Sequence, residues 1–244
     1  MDRRKIISII SSVVLIGAVL FAAKYIFIDL PKKDEETSNS AAVYQQAYKL
    51  ASEAIQLKHA GKIERAAKKY YEAARTIQKA LDLIRINDDP HTSGLRKKML
   101  DCYEECIALY TQVALRDPVD KRAQVTYIFD GDTVELEDRE RIRYLGIDAP
   151  EKDTPWGPKA TRANSLMVDK KTVQLKYDEE KIDIYQRTLA YVFAGSLFVN
   201  VELVKQGQAK YYCPVGSPLK YRTLFLASEA LAKEKKLGLW AETH

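Results

Sequence analysis

Five charged residues in the second half of the chain have the types and spacing needed for chemistry on phosphate. Asp132 ends the run Phe-Asp-Gly-Asp, Arg143 lies shortly before Asp148 and Glu151, and Arg187 follows further along the chain. Carboxylate oxygens are the ligands that hard cations prefer, and the planar guanidinium group matches phosphate oxygens better than a lysine does. The sequence therefore predicts a cation site with two arginines beside it, suited to hydrolysis of a phosphodiester.

Short strands must position these residues. Runs of β-branched and apolar residues with Asp-Gly and Gly turns predict five strands, and longer amphipathic runs predict three helices. Asp132 and Asp148 then lie at strand ends, and Pro150 stops the strand and turns the chain back toward the same edge. The predicted strands cover residues 124–129, 133–137, 140–147, 172–177 and 189–194, and the predicted helices cover residues 157–169, 199–206 and 219–236.

These motifs give residues 125–242 a resemblance to the staphylococcal (micrococcal, or thermonuclease) nuclease family. The chain has the family's Asp-Gly-Asp-Thr at 130–133, an arginine before Asp-x-Pro-Glu at 148–151, and Tyr-x-Arg at 185–187. Residues 230–240 also resemble its closing helix and Gly-x-Trp ending. The resemblance implies an α+β domain at residues 121–244 with a five-stranded OB-type barrel, and the activity of a metal-dependent endonuclease.

The resemblance also implies a metal site for one Ca²⁺ ion. Its ligands would be Asp132, Asp148 and the backbone carbonyl of Ala149, with water completing the shell. Ala149 stands where threonine is usual in the family, and a ligand that comes from the main chain tolerates this change.

Three further side chains receive catalytic roles by the same resemblance. Glu151 would orient or deprotonate the attacking water, and Arg143 and Arg187 would clamp the phosphate oxygens. Asp130 would support the metal ligands without binding the ion, and Tyr185 is a possible substrate contact. The residues that flank Arg187 are larger than is common in the family, which leaves the shape of that loop open.

The N-terminal residues form an apolar segment. Residues 6–23 carry no charge and are long enough to cross a bilayer, so residues 1–30 are predicted to be a single-pass transmembrane anchor, followed by a polar linker at residues 31–40. A cleavable signal peptide is the alternative. Lysines and arginines lie on both sides of the segment, so the orientation in the membrane and the compartment stay open.

Residues 41–115 show three stripes of apolar residues at helical spacing, which predicts an all-α three-helix bundle. The helix lengths and the run from Ala60 to Ala74 resemble the MIT (microtubule interacting and trafficking) domain, and the same spacing occurs in tetratricopeptide repeats. The MIT resemblance implies that an ESCRT-type helical peptide binds in a groove between helices. A rigid spacer is the alternative.

Composition narrows the function less than the motifs do. A net charge of +5 is compatible with nucleic acid, and the spacing of the three cysteines suggests neither a disulfide framework nor a zinc site. Two functions remain. One is a membrane-anchored, Ca²⁺-dependent nuclease acting on DNA, RNA or both with low sequence specificity, and the other is a catalytically silent OB module that binds nucleic acid or protein.

Overall fold

A computed structural model describes residues 35–83, 90–213 and 219–241. Residues 43–244 cluster as one compact unit. The predicted transmembrane anchor at residues 1–30 lies outside the described residues. Within the described ranges, no helix combines the length and the apolar character that crossing a membrane requires.

Three long helices begin the described chain. Helix α1 spans Glu35–His59, α2 spans Ile63–Leu83 and α3 spans Pro90–Arg116. Gly61, with φ of +72°, makes the turn between α1 and α2. Helix α1 already includes residues 35–40, which the sequence analysis assigned to the linker. Polar and charged residues can extend a helix that a longer run has nucleated, so composition alone does not place its start.

The three helices pack through small residues. Ala47 and Ala54 of α1 are buried, and α2 buries five alanines alongside Tyr70 and Ile77. Ion pairs tie α1 to both neighbours, Glu53 to Lys69 of α2 at 3.3 Å and Lys58 to Glu105 of α3. The predicted stripe positions Met99, Cys102 and Cys106 of α3 all lie in this core.

A β-sheet region follows. It consists of β1 (Lys121–Ile128), β2 (Thr133–Leu136), β3 (Arg141–Tyr144), β4 (Ile147–Asp148), β5 (Thr172–Lys176), β6 (Thr188–Ala194), β7 (Leu197–Phe198) and β8 (Lys210–Tyr211). Strand β1 pairs with β2 and β5, β2 pairs with β3, and β5 pairs with β6, all antiparallel, while β3 and β6 pair in parallel. The pairings of these five strands therefore form a ring. Its interior is filled by fully buried apolar residues such as Val125, Leu136, Ile142, Leu175 and Val192.

Three more helices pack around the strands: α4 (Gly157–Val168), α5 (Val199–Lys205) and α6 (Arg222–Glu234). Each overlaps a predicted helix closely, as the five ring strands overlap the predicted strands. The two-residue strands β4, β7 and β8 were not predicted as separate elements, because two residues are too few to show an alternating pattern.

The bundle and the sheet region contact each other closely. Helix α6 packs along α3, and Lys235 pairs with Glu104 of α3 at 2.5 Å. The Nζ of Lys176 donates to the carbonyl oxygens of Ala114 at 2.6 Å, Leu115 at 3.3 Å and Asp117 at 2.7 Å. Lys176, which is 3% exposed, thus caps the C-terminus of α3 from inside the protein, and burial lowers its pKa.

Candidate active site

The turn between β1 and β2 places Asp132 in a buried position. The Oδ1 of Asp130 accepts a hydrogen bond from the Asp132 amide at 3.0 Å, which fixes the turn. The Oδ2 of Asp132 accepts one from the Ala149 amide at 2.6 Å, and its Oδ1 accepts one from the Thr133 hydroxyl at 3.1 Å. Burial, together with the charge of Asp130, raises the pKa of Asp132, although Arg143 and the Ala149 amide oppose this.

Gly131 allows this turn to approach the neighbouring chain. A Cβ atom at Gly131 would lie 2.6 Å from the Cβ of Ala149 and 2.8 Å from the Cβ of Ala160 in α4. The Asp-Gly-Asp motif therefore serves close packing here: the small residue lets the turn lie against the segment that carries Asp148 and Ala149.

Arg143 joins the two predicted metal-binding carboxylates. Its Nε lies 3.2 Å from Asp132 Oδ1, and its Nη2 donates to Asp148 Oδ1 at 2.9 Å. Its Nη1 donates to the carbonyl oxygens of Tyr144 at 2.9 Å and Ile147 at 2.7 Å. The guanidinium group is mostly buried, whereas the Asp148 side chain is 59% exposed. The structure thus brings Asp132, Asp148 and Arg143 into direct contact, with Ala149 beside them.

A buried hydrogen-bond chain that the sequence analysis missed supports this cluster from α4. The Tyr144 hydroxyl donates to Asn164 Oδ1 at 2.9 Å, and Asn164 Nδ2 donates to the carbonyl oxygen of Asp130 at 3.0 Å. Asn164 is fully buried. An asparagine on the apolar face of a predicted helix was the available sequence signal, since a buried amide needs partners.

Glu151 lies on a tight turn and its side chain points to solvent. The backbone carbonyl oxygen of Glu151 accepts bonds from the Thr154 amide at 3.0 Å and the Thr154 hydroxyl at 2.7 Å. A Cβ atom at Gly157, the first residue of α4, would lie only 2.0 Å from that same oxygen. The turn fixes the Glu151 backbone, but the structure does not bring its carboxylate into contact with Asp132, Asp148 or Arg143.

Arg187 is held by Asp183 in the loop before β6. Its Nε and Nη2 each lie 2.7 Å from Asp183 Oδ2, while Asp183 Oδ1 accepts bonds from the amides of Tyr185 and Arg187. Burial alone would raise the pKa of Asp183, but the hydrogen bonds from Arg187 and the Tyr185 amide hold it below its usual value. Gln186 adopts φ of +60°, a backbone conformation that glycine adopts more easily than glutamine does. The guanidinium lies 5.2 Å from the ring centre of Tyr185.

Arg143 and Arg187 line the same cleft, of about 590 Å³. Its wall also includes Asp183 and three exposed apolar or aromatic residues, Ile184, Tyr185 and Tyr212. The cleft therefore combines two guanidinium groups with aromatic surface, as a site for a nucleotide would. Asp183 and Tyr212 were not predicted as site residues.

The donor atoms fit a hard cation. Asp132 and Asp148 offer carboxylate oxygens that both contact the guanidinium of Arg143, and burial raises the pKa of Asp132, so additional positive charge nearby would favour its ionised form. Among the described residues no group of three or more acidic, histidine or cysteine side chains could hold a metal by itself. A cation here would have few protein ligands and would keep several waters, which calcium tolerates.

Comparison with known proteins agrees with this geometry. The sequence model described as "Staphylococcal nuclease homologue" matches residues 141–242. The chain is 36% identical to a thermonuclease of Staphylococcus intermedius over 48% of this chain and 74% of the relative. It is 34% identical to an uncharacterized endonuclease of Haemophilus influenzae over 50% of this chain and 67% of that protein. It is 32% identical to endonuclease YncB of Bacillus subtilis over 47% and 59%. The strand-end acids, the paired arginines and these matches together show that the chain belongs to the staphylococcal nuclease family.

Proposed function

We propose that this protein is a Ca²⁺-dependent nuclease that hydrolyses phosphodiester bonds of DNA, RNA or both with low sequence specificity. Membership of the family makes the chain a staphylococcal-type endonuclease, a hydrolase. The observation that carries the finer proposal is the position of Arg143, which contacts Asp132 and Asp148 while it lines the same cleft as Arg187. The ring of strand pairings supports an OB-type barrel as the rigid frame of the site.

The side chains divide the reaction between them. Attack of water on phosphorus creates a five-coordinate phosphorane whose added charge must be neutralised. Arg187 and Arg143 donate hydrogen bonds to the non-bridging oxygens, and Glu151 orients the water or accepts its proton. The phosphorane then collapses by breaking the bond from phosphorus to one ester oxygen, which leaves and takes a proton from solvent. Asp183 fixes the direction of Arg187, and Asp130 fixes the turn that carries Asp132. The Glu151 side chain is exposed to solvent and is therefore accessible to a substrate.

Asp132, Asp148 and the carbonyl of Ala149 would hold the Ca²⁺ ion. When bound, the ion supplies positive charge to the phosphate and lowers the pKa of a bound water. Because the two arginines and the ion would contact phosphate oxygens, which every nucleotide has, recognition depends on the backbone of the nucleic acid, and this favours low sequence specificity.

Membrane anchoring by residues 1–30 and a peptide partner for the helical bundle are proposals that rest on the sequence. Helix α6 covers part of α3, so an ESCRT-type helical peptide would have to use another face of the bundle. The alternative of a silent OB module predicts nucleic-acid binding that continues without turnover and tolerates a chelator.

The role of Glu151 is tested by replacing it with glutamine. We expect Glu151→Gln to lower the rate of cleavage of a labelled single-stranded oligonucleotide by about 100-fold or more, the usual worth of a positioned general base. Asp153→Asn is the matched control, because Asp153 is an exposed acid in the same loop. Equal rates for the two variants would remove Glu151 from the mechanism, and binding without cleavage by the unmodified chain would support the silent module.

A further inference from the structure

An exposed patch on the outer face of strands β1 and β3 consists of Tyr127, Phe129 and Arg141. The Tyr127 side chain is among the exposed large aromatics, at 53%. The rings of Tyr127 and Phe129 meet edge to face with centres 4.9 Å apart, and the guanidinium of Arg141 lies 4.0 Å from the ring centre of Phe129. Arg141 thus covers the Phe129 ring, whereas the Tyr127 ring is exposed to solvent. We call these three residues the aromatic-arginine patch.

Strand register places the patch on one face. Tyr127 pairs with Glu135 of β2, and Glu135 pairs with Arg141 of β3, so the three side chains share a face of the sheet. A β-bulge between Val125 and Tyr127 shifts the alternation of β1. Because of this shift Thr126 and Tyr127 are both exposed, so the bulge turns an aromatic ring outward that regular pairing would have turned inward.

The patch continues the active-site face. Arg141 and Arg143 are two residues apart on β3 and so point to the same side, about 7 Å apart along the strand. Ile142 pairs with Thr188 in parallel register. The residues that precede them, Arg141 and Arg187, therefore also lie side by side. The patch therefore lies next to the two arginines of the cleft, on the β2 side.

The positive charge of Arg141 favours binding of an external anion, such as a phosphate group. Within the described ranges no acidic side chain forms an ion pair with Arg141, although Glu135 lies on the neighbouring strand. Glu140, the other acid nearby, is engaged by Lys121 at 2.5 Å and by the Thr188 hydroxyl at 2.5 Å. Arg141 is consequently available to a phosphate group.

We propose that the aromatic-arginine patch binds a nucleotide of the single-stranded substrate adjacent to the one that is cleaved. The base stacks on Tyr127 and the phosphate binds Arg141, so the patch gives longer strands higher affinity than a dinucleotide. Stacking and backbone contact without base-edge hydrogen bonds keep the binding independent of sequence. This proposal rests on the proposed nuclease function, since it names a subsite of the same substrate.

Binding to the inactive Glu151→Gln full chain provides the test, with a fluorescent single-stranded oligonucleotide as the probe. Adding Tyr127→Ala or Arg141→Ala should each raise Kd by about ten-fold, and Tyr127→Phe, which keeps the ring, should restore the affinity. Arg141→Ala should also lower the slope of log Kd against log salt by about one phosphate contact. Arg65→Ala, which removes an exposed arginine of α2, is the matched control and should change Kd less than two-fold.

A cleavage assay separates the patch from the site itself. In the active chain, Tyr127→Ala should reduce kcat/KM for the long strand about ten-fold more than for a dinucleotide. Unchanged Kd in both alanine variants, or equal losses on long strand and dinucleotide, would overturn the proposal. If the unmodified chain cleaves nothing, the nuclease function fails, while the Kd values still decide whether the patch binds nucleic acid.

Discussion

Arg143 and Arg187 differ in how many of their hydrogen-bond donors are open to a substrate. Arg143 already contacts two carboxylates and two carbonyl oxygens, which occupy most of its five N–H groups. Within the part of the chain that the structure describes, Arg187 uses its Nε and Nη2, both on one oxygen of Asp183, and its Nη1 has no partner there. We infer that Arg187 supplies most of the hydrogen bonds to the phosphate and that Arg143 mainly organises the acids.

Asp183→Asn tests how Arg187 is positioned. The amide keeps an acceptor for the two backbone N–H groups but removes the carboxylate oxygen that holds the guanidinium. Loss of a charge-assisted hydrogen bond of about 1.5–3 kcal/mol predicts that kcat falls about ten-fold to 100-fold. The measurement is steady-state cleavage, with Glu179→Gln, an exposed acid of the same loop, as the control. Wild-type kcat in Asp183→Asn would contradict this role.

At the residue scale, the sequence predicts the acids and arginines of the site and cannot predict what holds them. Residue type and spacing single out Asp132, Asp148 and Arg143, and the structure brings these three together. The helix pattern marks Asn164 as a buried polar residue, but its partners lie 20 and 34 positions away in the chain, so the pattern does not identify them. The requirement for glycine at position 157 likewise arises because the start of α4 closely approaches the carbonyl oxygen of Glu151.

At the scale of elements, two lysines show how burial changes the value of the same contact. Lys176 of β5 donates to three carbonyl oxygens at the end of α3, and Lys171 donates to the carbonyls of Leu166 and Met167 at the end of α4. Lys176 is buried and Lys171 is exposed. Water can replace Lys171 at its carbonyls, but it cannot easily reach those that Lys176 caps.

Replacing each lysine by methionine measures the difference. Lys176→Met should lower the free energy of unfolding by about 3 kcal/mol, because it leaves buried carbonyl groups without a donor. Lys171→Met should cost less than about 1 kcal/mol, as expected for an exposed helix end. Urea unfolding followed by circular dichroism gives both values. Equal losses would mean that burial of Lys176 does not matter to the junction.

Elements were predicted well where a pattern repeats along the chain. The alternating strands and the apolar helix stripes lie within a few residues of the observed ones, because period and turn residues encode them directly. The pairing of β3 with β6 could not be predicted in this way. It joins residues 142 and 188, and only closure of the whole sheet brings them together.

At the scale of the whole molecule, the bundle and the sheet region form one compact unit, although their sequence patterns suggest separate domains. Helix α6 lies against α3, and the Tyr221 hydroxyl donates to Asp117 at the junction. The short polar stretch at residues 116–120, between two periodic regions of the sequence, is typical of a hinge. The contacts that fill this junction come from residues 59 to 104 positions away, which no local composition reports.

Truncation tests this unity. A fragment of residues 119–244 loses the partners of Lys176 and α6, so its midpoint of thermal unfolding should fall by at least about 10 °C, the equivalent of about 2 kcal/mol. A fragment of residues 43–244 keeps the compact unit and should unfold within about 3 °C of the full chain. An unchanged midpoint in the shorter fragment would show that the sheet region folds independently.

The central claim is that this cleft hydrolyses phosphodiesters with Ca²⁺ and Arg187. Its most direct test is single-turnover cleavage of labelled single-stranded DNA and RNA by the full chain with Ca²⁺, with Mg²⁺ and with a chelator, beside Arg187→Ala and the exposed-arginine control Arg65→Ala. We expect cleavage that requires Ca²⁺, falls at least about 100-fold in Arg187→Ala and is unchanged in Arg65→Ala. Cleavage that survives the chelator or the loss of Arg187, or no cleavage with either metal, would contradict the claim.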